Sequence, residues 1–276
     1  MEGGFLQGLR GRLRRVPWLS LAYHRVRESL LPLARAVRTP YGFRFKGSAA
    51  MQAGSFEREE MDLVRGLLAE RDVLIDVGAN VGLYTCLARS LGKPAVAVEP
   101  LPSNLRMLRA NLAANRWADT EIAEVGLAAL AGEAELLGTD TGASLVPGWA
   151  GLPHRTLLRR TIRLETLDRL LAGRFAGQRL LIKIDIEGAE LACLRGAAQT
   201  LQRTPAPAWL VEICLAENFP GGANPDFVNT FDLFFEYGYR AWTANAACRP
   251  VTREDVGRWA ARGRAESGSY NYLFAR

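Results

Sequence analysis

The segment Asp76-Val77-Gly78-Ala79-Asn80-Val81-Gly82 constrains this chain more than any other. It follows the apolar run Val73-Leu74-Ile75 and precedes Leu83-Tyr84-Thr85-Cys86-Leu87-Ala88-Arg89-Ser90-Leu91, which reads as a helix. An apolar strand that breaks at glycine into a helix gathers backbone N–H groups around a concave edge. Gly78 and Gly82 leave the main chain open where a Cβ would block an approaching ligand. The same succession recurs downstream. Strands are expected at 73–77, 95–99, 121–126, 133–137, 180–186 and 209–215, and helices at 56–70, 103–114, 189–201 and 225–237. Phe43-Arg44-Phe45 reads as a short strand, and 239–243 and 270–275 as two closing strands. Alternating strands and helices predict a parallel α/β sheet. Leu180-Leu181-Ile182-Lys183-Ile184-Asp185-Ile186 is apolar enough to be a central strand covered on both faces.

The glycine turn departs from the dinucleotide fingerprint G-x-G-x-x-G. Asn80 stands where the second glycine would face a pyrophosphate, and Asp76 leads the run. An acid at the mouth of the site disfavours a pyrophosphate and suits a cofactor with a cationic centre and an amino-acid tail, such as S-adenosylmethionine. Ala95-Val96-Ala97-Val98-Glu99-Pro100 ends a second strand in an acid, which can accept hydrogen bonds from both hydroxyls of a ribose. Glu99 therefore argues for a ribose; the bland alternative is a solvated carboxylate at a strand end.

Length and composition set the frame. With 276 residues, 49% hydrophobic and 23% charged, the simplest organisation is one domain, residues 51–276, behind an N-terminal extension, residues 1–50. The net charge of +6 is concentrated in that extension, where Arg10, Arg12, Arg14 and Arg15 precede a short apolar patch interrupted by Pro17. No cleavage site follows, so no signal peptide is expected. Residues 19–37 read as a basic amphipathic helix, which could pack on the domain as a lid or lie on an anionic membrane surface. Cys86, Cys193, Cys214 and Cys248 have no C-x-x-C spacing, which argues against zinc and against a disulfide framework. The expected location is the cytoplasm, with peripheral membrane contact through the basic helix as a further expectation.

Lys183-Ile184-Asp185-Ile186-Glu187-Gly188-Ala189-Glu190 is the second constellation. Asp185 falls at the carboxyl end of its strand, where open α/β sheets hold ligands. Charges buried in an apolar strand are costly unless paired or functional. The alternative to a functional role is an ion pair of Lys183 with Asp185 or Glu187 that fixes the strand end. Glu190 lies near the start of the following helix, where the dipole favours an acid.

Together, Asp76 to Thr85, Val98-Glu99-Pro100 with Asn104, and Leu181 to Glu190 resemble the FkbM family of S-adenosylmethionine-dependent methyltransferases over about residues 70–215. The resemblance implies the class I methyltransferase (Rossmann-like) fold: a seven-stranded, mostly parallel sheet with helices on both faces and an antiparallel last strand. It also implies O-methylation of a hydroxyl on a sugar, glycolipid or secondary-metabolite acceptor. By that resemblance Asp76, Gly78, Ala79, Asn80, Gly82, Tyr84 and Thr85 belong to the methionine side of S-adenosylmethionine. Glu99 would hold its ribose, Asn104 and Gly126 would flank its adenine, and Ser144 would sit in a loop over the site.

Methyl transfer to an alcohol needs the hydroxyl positioned and its proton removed. Asp185 is the first candidate for both the base and the cofactor side. Glu212, an acid inside Leu210-Val211-Glu212-Ile213, is the second, and His154 is the third. His24 reads as a residue of the N-terminal helix. No metal-ligand spacing is present, so no metal is expected. Two rival functions remain: RNA methylation, which the basic arm supports but its lack of interleaved aromatics does not, and non-catalytic S-adenosylmethionine binding, which intact motifs disfavour. The expected partner is a small-molecule or glycan acceptor.

Overall fold

The computed structural model describes residues 34–138, 142–149 and 159–276. Its first part runs β1 (Val37–Arg38), β2 (Arg44–Phe45), α1 (Ala49–Ala53), α2 (Arg58–Ala69), β3 (Val73–Val77), α3 (Leu83–Ser90), β4 (Ala95–Val98) and α4 (Pro102–Ala114). It continues through β5 (Glu121–Ala123), β6 (Gly126–Leu127), β7 (Gly132–Leu137), β8 (Arg159–Glu165), α5 (Leu167–Leu170), β9 (Leu180–Ile184), α6 (Glu190–Arg195), α7 (Ala198–Leu201) and β10 (Ala208–Glu212). The chain then adds α8 (Phe227–Glu236), β11 (Arg240–Thr243), β12 (Pro250–Val251), α9 (Arg253–Arg262) and β13 (Asn271–Ala275).

The main sheet has the order β12-β11-β13-β10-β9-β3-β4-β5. The β5–β4–β3–β9–β10 run is parallel, and β13 is antiparallel to both β10 and β11. This is the class I methyltransferase arrangement, with one correction to the expected seven strands. The two-residue β12 pairs with β11 and makes an eighth. Pro250 sits on that outer edge, where a missing N–H costs no ladder bond, and so short a strand leaves no periodic signal.

Strand alternation sends the central side chains to two different cores. Ile75, Ile182 and Trp209 pack on one face, while Leu74, Leu181 and Leu210 pack on the other with α2, α3 and α4. By the same alternation Asp76, Lys183 and Glu212 lie on the second face, and Asp76 stands directly opposite Lys183 in the ladder. A separate small sheet has the order β6-β8-β7.

Three further expectations are corrected. The helix expected at 189–201 is two, α6 and α7, separated at Gly196. There a Cβ would lie 2.2 Å from the carbonyl oxygen of Ala128, so close packing on β6 breaks the helix. Asp168 then caps α7 by accepting from the N–H groups of Gln199 and Thr200. The helix expected at 19–37 does not reach its proposed end, because Val37 and Arg38 pair antiparallel with Phe45 and Arg44. Phe43 and Phe45 are buried in the second core, and Asn111 of α4 and Asn115 just past its end bond the backbone of Lys46 and Arg44, so this hairpin is part of the domain's packing. Residues 19–33, including His24, lie outside the described residues. Finally, α9 was not expected, although it carries its own signals: Thr252 and Asp255 form a capping box and Gly263 closes the helix in the left-handed region.

Among the described residues, no helix is long and apolar enough to cross a membrane.

Candidate functional site

A cavity of about 290 Å³ opens at the carboxyl ends of β3, β4, β9 and β10. One wall is the glycine turn. Gly78 has φ +81°, and a Cβ there would lie 1.9 Å from the carbonyl oxygen of Asp185, so the β3 and β9 turns meet backbone to backbone. The N–H groups of Gly78 and Ala79 both donate to the carbonyl of Val98, which ties the turn to β4. Asn80 is also left-handed, at φ 51°, and its buried Oδ1 has no hydrogen-bond partner. Its N–H donates to Glu99 Oε2 at 2.9 Å. Glu99 Oε1 accepts from Leu101 N at 2.8 Å and from Asn104 Nδ2 at 3.3 Å. Burial pushes the Glu99 carboxyl up to about 7, against the pull of the Leu101, Asn80 and Asn104 hydrogen bonds.

The expected cofactor residues divide into two sets. Gly78, Ala79, Asn80, Tyr84, Glu99, Asn104, Gly126 and Asp185 line the cavity. Asp76, Gly82, Thr85 and Ser144 do not. Asp76 and Thr85 are buried behind the turn, where Thr85 Oγ1 donates to Asp76 Oδ2 at 2.5 Å. Gly82 packs on Leu108; a Cβ there would meet Leu108 Cδ1 at 2.4 Å. Ser144 donates to the carbonyl of Glu187 at 2.5 Å and accepts from Val146 N at 2.9 Å, which pins 142–149 to the β9 turn. Its neighbours Ala143 and Leu145, with Leu136 and Ile162, make an apolar wall.

The opposite wall is charged. Lys183 is buried, with Nζ 2.9 Å from Asp185 Oδ2, 3.6 Å from Glu60 Oε1 and 4.5 Å from the centre of the Tyr84 ring. Burial opposes the charge on Lys183, but Asp185, Glu60, Glu57 and Asp76 together hold its pKa well above the ordinary lysine value. Burial would raise Asp185, yet the Lys183 ammonium and the hydrogen bonds from Glu212 and Lys183 outweigh it and hold the carboxyl below the usual range. Burial, the Asp185 charge and the hydrogen bond to Asp185 push Glu212 up to about 10, so the two carboxyls share one proton. Asp185 keeps 26% of its side-chain surface open toward the cavity.

The β9 turn is held by its other two acids. Glu187 is left-handed at φ 57° and accepts from Trp149 Nε1 at 2.5 Å. Glu190 accepts from Gly188 N at 3.0 Å and Ile186 N at 3.3 Å. His154 lies outside the described residues.

Sequence reasoning missed Glu57 and Glu60. Both stand in the charged stretch Glu57-Arg58-Glu59-Glu60. A signal was present, because Glu57, Glu60, Met61, Val64 and Leu68 fall on one helical stripe and the last three are buried. Two acids that extend an apolar stripe must face something that compensates them, here Lys183 and Tyr84.

The sequence model described as "Methyltransferase FkbM domain" matches residues 76–241, more than half of the chain. The hexuronic acid methyltransferase AglP of Haloferax volcanii is 28% identical over 193 residues, covering 64% of this chain and 77% of its own. Among solved structures, a Bacillus cereus O-methyltransferase in complex with SAH matches with a TM-score of 0.41 at 12% identity, covering 78% of this chain and 79% of its own. A precorrin-6y C5,15-methyltransferase of Geobacter metallireducens also matches with a TM-score of 0.41, at 13% identity over 71% of this chain and 79% of its own.

Proposed function

The chain belongs to the FkbM methyltransferase family, and from that premise we propose that it uses S-adenosylmethionine to methylate a hydroxyl group of a sugar or a similar polyhydroxylated acceptor. The observation that carries this reading is the pairing of two unlike carboxyl sites in one cavity. Glu99 hangs on three N–H donors at one end, and Asp185, charged through Lys183, faces the other.

The residues fit the cofactor. The orphaned Asn80 Oδ1 leaves a polar wall for an adenosyl and amino-acid ligand, and Gly78 lets the β3 and β9 turns close together behind it. Glu99 would accept from the ribose hydroxyls and Asn104 and Gly126 would lie on the adenine side. Asp76 and Thr85 act from behind by fixing the turn. When bound, S-adenosylmethionine supplies a methyl carbon on a cationic sulfur. Asp185 offers that end of the cavity a fixed negative charge, since Lys183 and the proton on Glu212 stop it from being neutralised. The same two contacts make Asp185 a poor proton acceptor and leave none to Glu212. The apolar wall of Leu136, Leu145 and Ile162 excludes water from the reacting centre. A sugar acceptor is favoured by the likeness to AglP, named for a hexuronic acid.

Titration calorimetry with S-adenosylmethionine tests the cofactor assignment. Wild type should bind, and Glu99→Ala should bind about 10-fold to 100-fold more weakly, the value of one or two lost hydrogen bonds to a charged group. Equal affinity would remove Glu99 from the ribose. No binding to wild type would overturn the proposed function.

A further inference from the structure

A second concavity of about 590 Å³ runs beside the first, between the start of α2, Glu217 and the loops at 244–245 and 264–271. Glu57 is the residue that lines both. We propose that this groove seats an uncharged sugar ring of the acceptor and that Glu57, at the junction, is the catalytic base that takes the proton from the hydroxyl being methylated. This inference rests on the methyl transfer proposed above.

The geometry of Glu57 is unusual for a helix start. It occupies the N-cap position of α2 in the left-handed region, at φ 46° and ψ 42°, and its side chain makes no capping bond. The carboxylate turns inward and accepts from Tyr84 Oη at 2.7 Å. A left-handed non-glycine residue is strained and persists where its surroundings impose it. Here the strain aims a carboxylate at the cavity instead of at the helix N–H groups.

Its electrostatic setting completes the case. Glu57 as a residue is exposed, but its carboxyl is partly covered against Tyr84; that cover raises it, Lys183 of β9 and the Tyr84 hydroxyl of α3 lower it, and Glu60 of α2 and Asp185 after β9 raise it again, with a balance at about 7. Arg58, Glu59, Glu217 and Arg264 stand further along the groove. A base is most useful when its pKa lies near the working pH. Asp185 lies below that range and Glu212 holds a proton. Glu99 and Glu190 share the value of about 7, but both oxygens of Glu99 are engaged by N–H groups, and Glu190 is tied to the β9 turn and does not line the cavity.

The groove fits a sugar by its lining. The half-buried Asn245, Ser269 and Asn271 border it, held in place by bonds to Ser267, Asn271 and Glu60, and Tyr270, 48% exposed, offers a ring face at its edge. Among its described lining residues Glu57, Glu59, Glu60 and Glu217 outnumber Arg58 and Arg264, so an anionic ring is disfavoured.

The test uses the full chain, methyl-labelled S-adenosylmethionine, and methyl β-D-glucopyranoside as probe, with methyl β-D-glucuronoside as the charged counterpart. In wild type the glucoside should accept label, with transfer rising as pH passes through about 7. Glu57→Gln should keep cofactor affinity, lower transfer by about 100-fold or more and lose that rise, while Glu57→Asp restores part of it. Tyr270→Ala should raise the glucoside KM with kcat little changed. Nuclear magnetic resonance should show the glucoside shifting amides of Asn245, Ser269 and Asn271. Undiminished transfer by Glu57→Gln overturns the base. Shifts elsewhere, no shifts, no transfer to the glucoside, or a preference for the glucuronoside each overturn the groove. Loss of cofactor binding in wild type instead defeats the methyl-transfer reading itself.

Discussion

Glu99 and Asp185 face one another across the same cavity, and each is placed by a different kind of structure. Glu99 is held by Leu101 and Asn104 just after it in the chain and by Asn80 of the adjoining β3 turn, chiefly through backbone N–H groups. Asp185 is held instead by charged side chains, one from its own strand and one from the next. Lys183 reaches it from β9 and Glu212 from β10, while Glu60 of α2 shares the same lysine and is itself bonded by Asn271, 211 residues away. Backbone donors are supplied by any residue, so the first end depends on φ and ψ. The charged end depends on side-chain identity, because each partner compensates a buried charge of another.

That contrast predicts different sensitivities, and Lys183→Met tests it most severely. It leaves Asp185 and Glu60 buried beside each other without their cation. Removing one partner of a buried pair costs about 3–5 kcal/mol. The sign with pH follows from Asp185. Its folded pKa is depressed by Lys183, so its contribution is present above the unfolded value and is lost as pH falls through the folded one. The deficit of Lys183→Met, read from urea midpoints, should therefore be largest near neutrality and shrink below about pH 4. A deficit that ignores pH would show that the lysine acts by packing alone, and the contrast between the two ends would fail.

Gly78→Ala probes the backbone-built end and should cost somewhat less, about 2–3 kcal/mol, from a left-handed φ and a Cβ driven into the Asp185 carbonyl. Its stability deficit should be independent of pH, while calorimetry with S-adenosylmethionine should show affinity lost with it. If Gly78→Ala binds normally, the close approach of the β3 and β9 turns is not what shapes the cavity.

The same contrast explains what the sequence made legible. The β3 turn, the β4 acid and the β9 strand each occupy a contiguous stretch whose periodicity and glycine positions carry the information, and they also carry the family resemblance. Glu57 and Glu60 precede the residues matched by the family model, and their meaning depends on Lys183, which lies far along the chain. Alternation along β9 places Lys183 on the α2 face, but no local pattern states which helix covers that face. The break at Gly196 and the edge strand β12 were illegible for a related reason: each is set by a neighbour, the Ala128 carbonyl and the exposed edge of β11. The inward turn of Asp76 and Thr85 was equally hidden, since a motif fixes spacing and does not say which side of a turn faces a ligand.

Glu212→Gln should produce the smallest effect and make the sharpest distinction at the charged end. If Glu212 carries the shared proton, glutamine replaces one hydrogen-bond donor to Asp185 with another of nearly the same shape. Near pH 5 the two proteins should then differ by less than about 1 kcal/mol, the net worth of one such bond. The folded pKa of Glu212 is raised, so its stabilising contribution is complete below the unfolded value and is lost as pH climbs toward the folded one. Glutamine has no proton to lose, so the variant should gain on wild type as pH rises and be the more stable of the two near pH 9. Urea midpoints at the two pH values decide it. A variant weaker than wild type at both would mean that Glu212 is ionised in the fold. Asp185 would then hold the proton, and the cavity's fixed negative charge would have to be assigned to β10 instead of to the β9 turn.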